Sequence, residues 1–213
     1  MKPFAMIAAV VALGFAAWHY AAPEPQALVH LMYQTQTFPQ MAVKANAVLA
    51  GQVVGIGGTR WNQDDGSFWD REMSSGQTET ALPYYEITLR VDDPIVDTTT
   101  QNLAAGHDVV LTVVGMNPRD EQEIATNLGI GSGDHGPEGL QVGQRIVVFA
   151  QNTQMAWREG TRPVLQLMGH PEQAYFTTVR GGNFESHAQE APSGSLADLK
   201  DQVLALRDGQ TTE

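Results

Sequence analysis

Aromatic and acidic side chains crowd one stretch of the chain, Gly57–Pro83. Trp61, Phe68 and Trp69 stand there with Asp64, Asp65, Asp70 and Glu72. Three rings so close in sequence can form a stacking platform for a sugar, or anchors in a protein interface. They can equally fold back and plug one end of the domain, because a loop this long needs a small core of its own. Asn62-Gln63-Asp64-Asp65-Gly66 superficially resembles a calcium loop. That pattern needs oxygen ligands at alternating positions with glycine sixth. Counting back from Gly66 puts the first ligand at Trp61, so the pattern fails. An irregular cation site on Asp64, Asp65 and Asp70 stays open.

Other chemistry is harder to find. Gly131-Ser132-Gly133-Asp134-His135-Gly136 matches a glycine fingerprint for dinucleotides. That fingerprint must follow a strand and open a helix. Here it follows a helical pattern and precedes a strand, so it reads as a loop. The six histidines, His19, His30, His107, His135, His170 and His187, include no pair at the spacing of helical metal ligands. No serine lies in a nucleophile elbow. The expectation is therefore no catalytic set, no metal and no cofactor, hence a protein that is not an enzyme.

The elements that would carry the aromatic loop are strands. Ile146-Val147-Val148-Phe149, inside Leu140–Gln151, is the densest β-forming run. Short apolar runs bounded by glycine and polar residues read as strands buried on both faces. Ala45–Ile56 is a second strand, and Gly51 and Gly55 inside it mark a bulge or a sharp corner. Tyr84–Asp92 alternates cleanly and ends at Asp93-Pro94. Asp108–Gly115 is apolar on both faces, which predicts a central position. Val164–Met168 and Ala174–Val179 complete the set.

Two helices are expected. Asn117–Leu128 has Asn117 as a cap and Pro118 at its first position. Ser195 caps the other, with Asp198 three residues on as the capping-box acid. Its stripe, Leu196, Leu199, Val203 and Leu206, docks either on its own domain or on a partner helix.

The first residues have a different character. Lys2 precedes Phe4–Trp18, which carries no charge. Stretched to Ala22, the run is long enough to span a bilayer. Two readings stand: an uncleaved signal anchor, or a secretory signal that is removed. Both place the remainder outside the cytoplasm. The expected localisation is the cell membrane, single-pass with an extracytoplasmic domain, or secreted if the segment is cleaved.

Composition narrows the partners. Of 213 residues 42% are apolar, enough for one domain with appendages. Acidic residues number 24 and basic residues 12, a net charge of -12. Such a charge repels phosphate backbones, so no nucleic-acid partner is expected. There is no cysteine, which excludes disulfides, thiolate metal sites and a cysteine nucleophile.

The order of segments is informative. Ala50-Gly51-Gln52-Val53-Val54 comes first, then Tyr85-Glu86-Ile87-Thr88-Leu89-Arg90-Val91. Asp108-Val109-Val110-Leu111-Thr112-Val113 follows, and then Leu140-Gln141-Val142-Gly143-Gln144-Arg145-Ile146-Val147-Val148-Phe149. From Val43 to Phe184 the pattern resembles small secreted bacterial β-barrel modules of the OB-like netrin/tissue-inhibitor type. The resemblance implies a mainly β fold, an antiparallel barrel of five to six strands. The eukaryotic inhibitors chelate a protease metal through an N-terminal cysteine, which this chain lacks, so protease inhibition is not carried over. OB-type barrels bind ligands with one sheet face and with the loops between strands one and two and between four and five. Here those loops are Gly57–Pro83 and Asn152–Pro163, the second adding Trp157 and Arg158 to the candidate site.

The expected organisation is a signal anchor at 1–22, a linker at 23–42 and an OB-like domain at 43–184. A second linker at 185–194 and an amphipathic helix at 195–209 follow. The expected function is a non-enzymatic envelope module that assembles with another envelope protein. A surface glycan-binding module and a hydrolase with an unrecognised site are the alternatives.

Overall fold

The computed structural model describes residues 36–72, 78–101, 103–117, 120, 140–168, 175–178, 182–186 and 188–210. The chain divides into two units, Met1–Met32 and Tyr33–Glu213, and every described residue belongs to the second. The expected membrane helix at 1–22 lies outside the described residues. So do most of the expected helix Asn117–Leu128 and the glycine loop with Asp134 and His135. Among the described residues no helix is long and apolar enough to cross a membrane.

The mainly β expectation holds. The elements run α1 (Phe38–Lys44), β1 (Ala47–Ile56), β2 (Arg60–Trp61), β3 (Asp70–Glu72), β4 (Thr78–Thr80), β5 (Pro83–Asp97) and β6 (Asp108–Val114). After these come β7 (Arg145–Trp157), β8 (Gly160–Leu167), β9 (Tyr175–Thr178), β10 (Phe184–Glu185) and α2 (Leu196–Gln210). β1 pairs antiparallel with β5 on one edge and with β7 on the other. β5 pairs with β6, β7 pairs with β8, and one parallel bridge, Thr112 to Gln166, joins β6 to β8. The pairings thus lead from β1 through β5, β6, β8 and β7 back to β1.

Alternation along β1 and β7 explains their unbroken apolar runs. Ala47, Leu49, Ile146, Val148 and Ala150 pack with Ile87, Leu89, Leu111, Val113 and Leu165 in one cluster. Val48, Ala50, Val147 and Phe149 point the other way. They pack with α1, α2, Phe176 and Phe184 in a second cluster. Phe38, Phe149 and Phe176 form its centre, with ring centroids 5.7–5.9 Å apart. Both faces of Ile146–Phe149 are buried, as the run predicts.

Gly51 sits where β1 shifts register against β5, between Ala50 and Gly51. A side chain there would put its Cβ 2.3 Å from the Arg90 carbonyl oxygen. The glycine permits that close approach of two backbones.

Several expectations are corrected. The linker expected at 23–42, where Pro39 reads as a block to helix, is helix from Phe38, and Phe38, Met41 and Ala42 are buried. Pro39 lies in the first turn, where a missing N–H removes no hydrogen bond. The second linker is also packed. Gly194 bridges Phe184, Ala188 is buried, and Phe38 N–H donates to the Gln189 carbonyl at 2.9 Å. β5 does not stop at Asp93-Pro94 but continues to Asp97. The register shift between Val48 and Leu49 accommodates the proline. β6 lies between β5 and β8, and its second face is only partly buried: Val110 is 49% exposed, whereas Thr112 is buried and Val114 half-buried.

The α2 stripe docks in cis. Ser195 N–H donates to Asp198 Oδ2 at 3.0 Å, and Asp198 N–H donates to Ser195 Oγ at 3.2 Å, the expected capping box. Leu199 and Val203 are buried, and Leu196 and Leu206 pack half-buried on the same cluster. Burying such a side chain contributes about 1.5–3 kcal/mol, so the stripe is spent on the core. Arg207 Nη1 then donates to the carbonyls of Ala42, Val43 and Ala45 at 3.0, 3.2 and 2.9 Å. These lie at the C-terminal end of α1, where carbonyls lack intrahelical partners. Lys200 pairs with Asp93 at 2.8 Å and fixes α2 against β5.

Candidate functional site

The described parts of the loop Gly57–Pro83, residues 57–72 and 78–83, are tied down from the strand that precedes them. Asn117 Nδ2 donates to the Gly57 carbonyl at 2.8 Å, and Thr59 N–H donates to Asp120 Oδ2 at 2.5 Å. Arg60 and Trp61 then pair with Tyr84 and Pro83 as β2. A tight turn follows, closed by Trp61 N–H donating to the Gly66 carbonyl at 2.9 Å. Gly66 has φ +71, and a Cβ there would meet Arg60 Nε at 2.6 Å. Ser67 N–H donates to Asp65 Oδ1 at 2.8 Å. That bond, with the Ser67 hydroxyl, holds the Asp65 carboxyl below the usual carboxylate range. β3 and β4 form a small hairpin that returns the chain to Pro83.

The second loop is not a loop. The polar stretch Asn152–Pro163, expected as a connection, is a hairpin arm in which β7 runs to Trp157 and β8 starts at Gly160. Only Arg158 and Glu159 turn, and Gly160 has φ +107. On the β7 side of the arm one face turns inward, with Met155 buried and Thr153 and Trp157 half-buried, while Asn152, Gln154, Ala156 and residues 158–163 are exposed, so only a short, mostly polar alternation marks it.

Loop and arm meet. Asn62 is only 4% exposed and uses its side chain on both. Its Oδ1 accepts from Trp69 Nε1 at 3.1 Å and from Leu82 N–H at 2.7 Å, inside the loop. Its Nδ2 donates to the Ala156 carbonyl at 3.1 Å, on the arm. Arg158 N–H donates back to the Asn62 carbonyl at 2.8 Å. Arg158 Nη1 donates to Gln63 Oε1 at 2.8 Å, and its guanidinium lies over Trp69 at 5.8 Å. Asp64 accepts from Trp157 Nε1 at 3.3 Å and from Arg162, whose guanidinium lies 4.4 Å over the Trp157 ring. Tyr84 packs on Trp157 at 5.4 Å, and burial raises its phenol pKa.

All seven sequence-predicted residues, Trp61, Asp64, Asp65, Phe68, Trp69, Trp157 and Arg158, therefore lie in this loop and arm. Their roles differ from a row of exposed rings. Trp69 is buried and hydrogen-bonded, so it plugs the loop rather than stacking on a ligand. Trp157 is half-buried and covered by Arg162 and Tyr84. Trp61 meets Phe68 edge to face at 5.0 Å. Phe68 is the ring that solvent reaches best, at 38% exposure. The four stripe residues Leu196, Leu199, Val203 and Leu206 are not part of this end.

Asn62, Gln63, Tyr84 and Arg162 escaped sequence reasoning. Their types are common in loops and strands, and nothing in their spacing pairs residue 62 with 156 or 64 with 162. Among the described residues no three His, Asp or Glu side chains come together to hold a metal. The irregular cation site is thereby corrected: Asp64 bonds Trp157 and Arg162, and Asp65 bonds Ser67.

No protein-family model matches the chain, and no curated protein does. A solved structure that it resembles is the small single-stranded DNA-binding protein from Streptomyces coelicolor. The two are 17% identical, with 60% of this chain and 88% of that chain covered, at a TM-score of 0.21. The expectation of no nucleic-acid partner is corrected on its own ground. That exclusion rested on a whole-chain charge of -12, whereas binding is decided by a local surface, and it is withdrawn. The mostly β architecture is compatible with an OB-like fold.

Proposed function

We propose that this chain is a non-enzymatic binding module on an OB-type barrel, and that it recognises its partner with the end where loop 57–82 meets the β7–β8 arm. The order β1–β5–β6–β8–β7–β1 supports the barrel, since five strands in this cyclic order leave loop and arm side by side. The observation that carries the binding role is the join itself. Asn62, Asp64 and Gln63 fix the loop to Ala156, Trp157 and Arg158, giving a pre-ordered surface with Phe68 at its exposed tip. A pre-ordered surface loses less entropy on binding. Asp64 and the two arginines are engaged with neighbours, which favours recognition over acid-base chemistry.

The N-terminal Lys2 and apolar Phe4–Trp18 support an envelope setting, with assembly onto another envelope component. The test is affinity capture of the full-length protein from membranes, compared with a Phe68→Ala/Arg158→Ala variant. Both residues are exposed, so folding is expected to survive. Loss of a captured component in the variant supports the reading, and its retention refutes this end as the contact. Titration of intrinsic tryptophan emission with a cell-wall oligosaccharide and with a single-stranded oligonucleotide tests two other ligand classes on the same protein. A saturable response to either would replace the protein-partner reading.

A further inference from the structure

We infer that Asn62 is the positioning residue of this end, joining loop and arm into one body without itself touching the partner. The inference rests on the binding role proposed above, but its test separates from it. Asn62 serves loop and arm through different atoms of one amide. The carbonyl oxygen organises the loop: it gathers the Trp69 indole and the Leu82 amide, twenty residues further along the chain. The amino group reaches the Ala156 carbonyl, ninety-four residues away. Gln63 also spans the two, from Ser67 to Arg158, but its partner on the arm is the side chain of an exposed arginine. Asn62 grips arm backbone, which cannot swing away. At 4% exposure its amide is beneath the surface, out of reach of a ligand. Its side-chain bonds to Trp69, Leu82 and Ala156 are neutral, so salt does not weaken the join as it weakens the exposed Asp64–Arg162 pair.

The chemistry of the amide allows the two roles to be cut apart. Asn62→Asp keeps an oxygen acceptor for Trp69 and Leu82 but replaces the donor to Ala156 by an acceptor. While the new carboxyl is ionised two acceptors face each other and the arm is released, so exchange is read at about pH 8, above the carboxylate range. Trp69→Phe does the reverse, removing the indole donor while leaving the Asn62 amino group on Ala156. Hydrogen exchange of the full chain reads both. In Asn62→Asp the Arg158 amide is expected to exchange roughly tenfold faster while the Leu82 amide changes little. In Trp69→Phe the Leu82 amide is expected to be the more affected.

Equal exchange changes at both amides in both variants would mean that the loop collapses as a unit, and would overturn the inference. Unchanged Arg158 exchange in Asn62→Asp would also overturn it. The same variants are then carried through the membrane-capture assay, where Asn62→Asp is expected to weaken capture although Asn62 is buried. If wild-type chain captures nothing, the binding role fails, and the exchange data still decide whether Asn62 couples loop to arm.

Discussion

Gly51→Ala tests the closest backbone approach in the sheet. In an ordinary strand the change would stabilise by about 0.5–1 kcal/mol, because alanine loses less backbone freedom on folding. Here the added Cβ would lie 2.3 Å from the Arg90 carbonyl oxygen and 3.0 Å from both the Arg90 carbonyl carbon and Leu89 Cγ. The first neighbour is backbone and cannot rotate away. β1 is held on its far edge by β7, through Gly51 opposite Ile146, so it cannot simply retreat. Relief requires β1 and β5 to separate locally, and overpacking of this kind costs about 1–3 kcal/mol. A domain of this size loses about 2–4 °C of melting temperature per kcal/mol, so Tm is expected to fall by about 2–12 °C. Thermal unfolding followed by circular dichroism in the β region measures it, with Gly55→Ala as the control. A Cβ at Gly55 meets only Thr88 side-chain atoms at 3.5 Å, ordinary contact. A Tm for Gly51→Ala equal to or above the parent would refute the close approach and the bulge argued from it.

Other perturbations address the remaining joints. Arg207→Met strips one donor from three carbonyls at the end of α1 and is expected to cost about 2 kcal/mol in urea unfolding. Arg207→Lys should recover only part of it, since an ammonium lacks the planar fork. Phe149→Ala, at the centre of the aromatic trio, is expected to cost about 3–5 kcal/mol by the same measurement. Asp198 is held below the usual carboxylate range by the Ser195 hydroxyl and then the Ser195 backbone N–H. Its folded pKa is depressed, so its contribution is present above about pH 4 and is lost as pH falls through the folded value. The stability difference between parent and Asp198→Asn should therefore shrink as pH drops from about 6 to about 3, and a difference independent of pH would contradict the capping box.

What could be read in the sequence followed from periodicity and end signals. Ile146–Phe149 announced burial on both faces because its apolar run has no polar break, and Ser195 with Asp198 announced a helix start. Gly51 announced a bulge or a sharp corner, because glycine inside an apolar strand marks such a place, and the register shift shows the bulge. What stayed hidden has physical reasons as well. Pro39 reads as a breaker, and only the observed helix start puts it in the first turn, where proline is tolerated. The arm beyond Gln151 buries only Met155 among mostly polar, exposed side chains, so hydrogen bonding to β8 defines it more than apolar patterning does. Val110 is apolar yet exposed, an ordinary mismatch that no pattern flags. Asn62 is the clearest case. An asparagine in a polar loop looks like any other until the fold brings Ala156 to it.

The strand pairings also set an order in time. β1 finds its first partner when β5 is complete, at Asp97 opposite Ala47. Its second partner, β7, supplies Ala150 opposite Ala47, roughly a hundred residues after β1 itself, the kind of distant pairing that slows folding. During synthesis at about 5–20 residues per second, that leaves one edge of β1 unpaired for several seconds after the other is closed. Val48 and Ala50, on the face later covered by α2, wait longer still, because α2 is made last. The nascent chain thus displays a half-paired, apolar strand edge for much of its synthesis, the form in which such edges join the wrong neighbour. Gly51 and its bulge lie within that waiting edge, and the twist a bulge imposes works against flat pairing with another chain before β7 arrives.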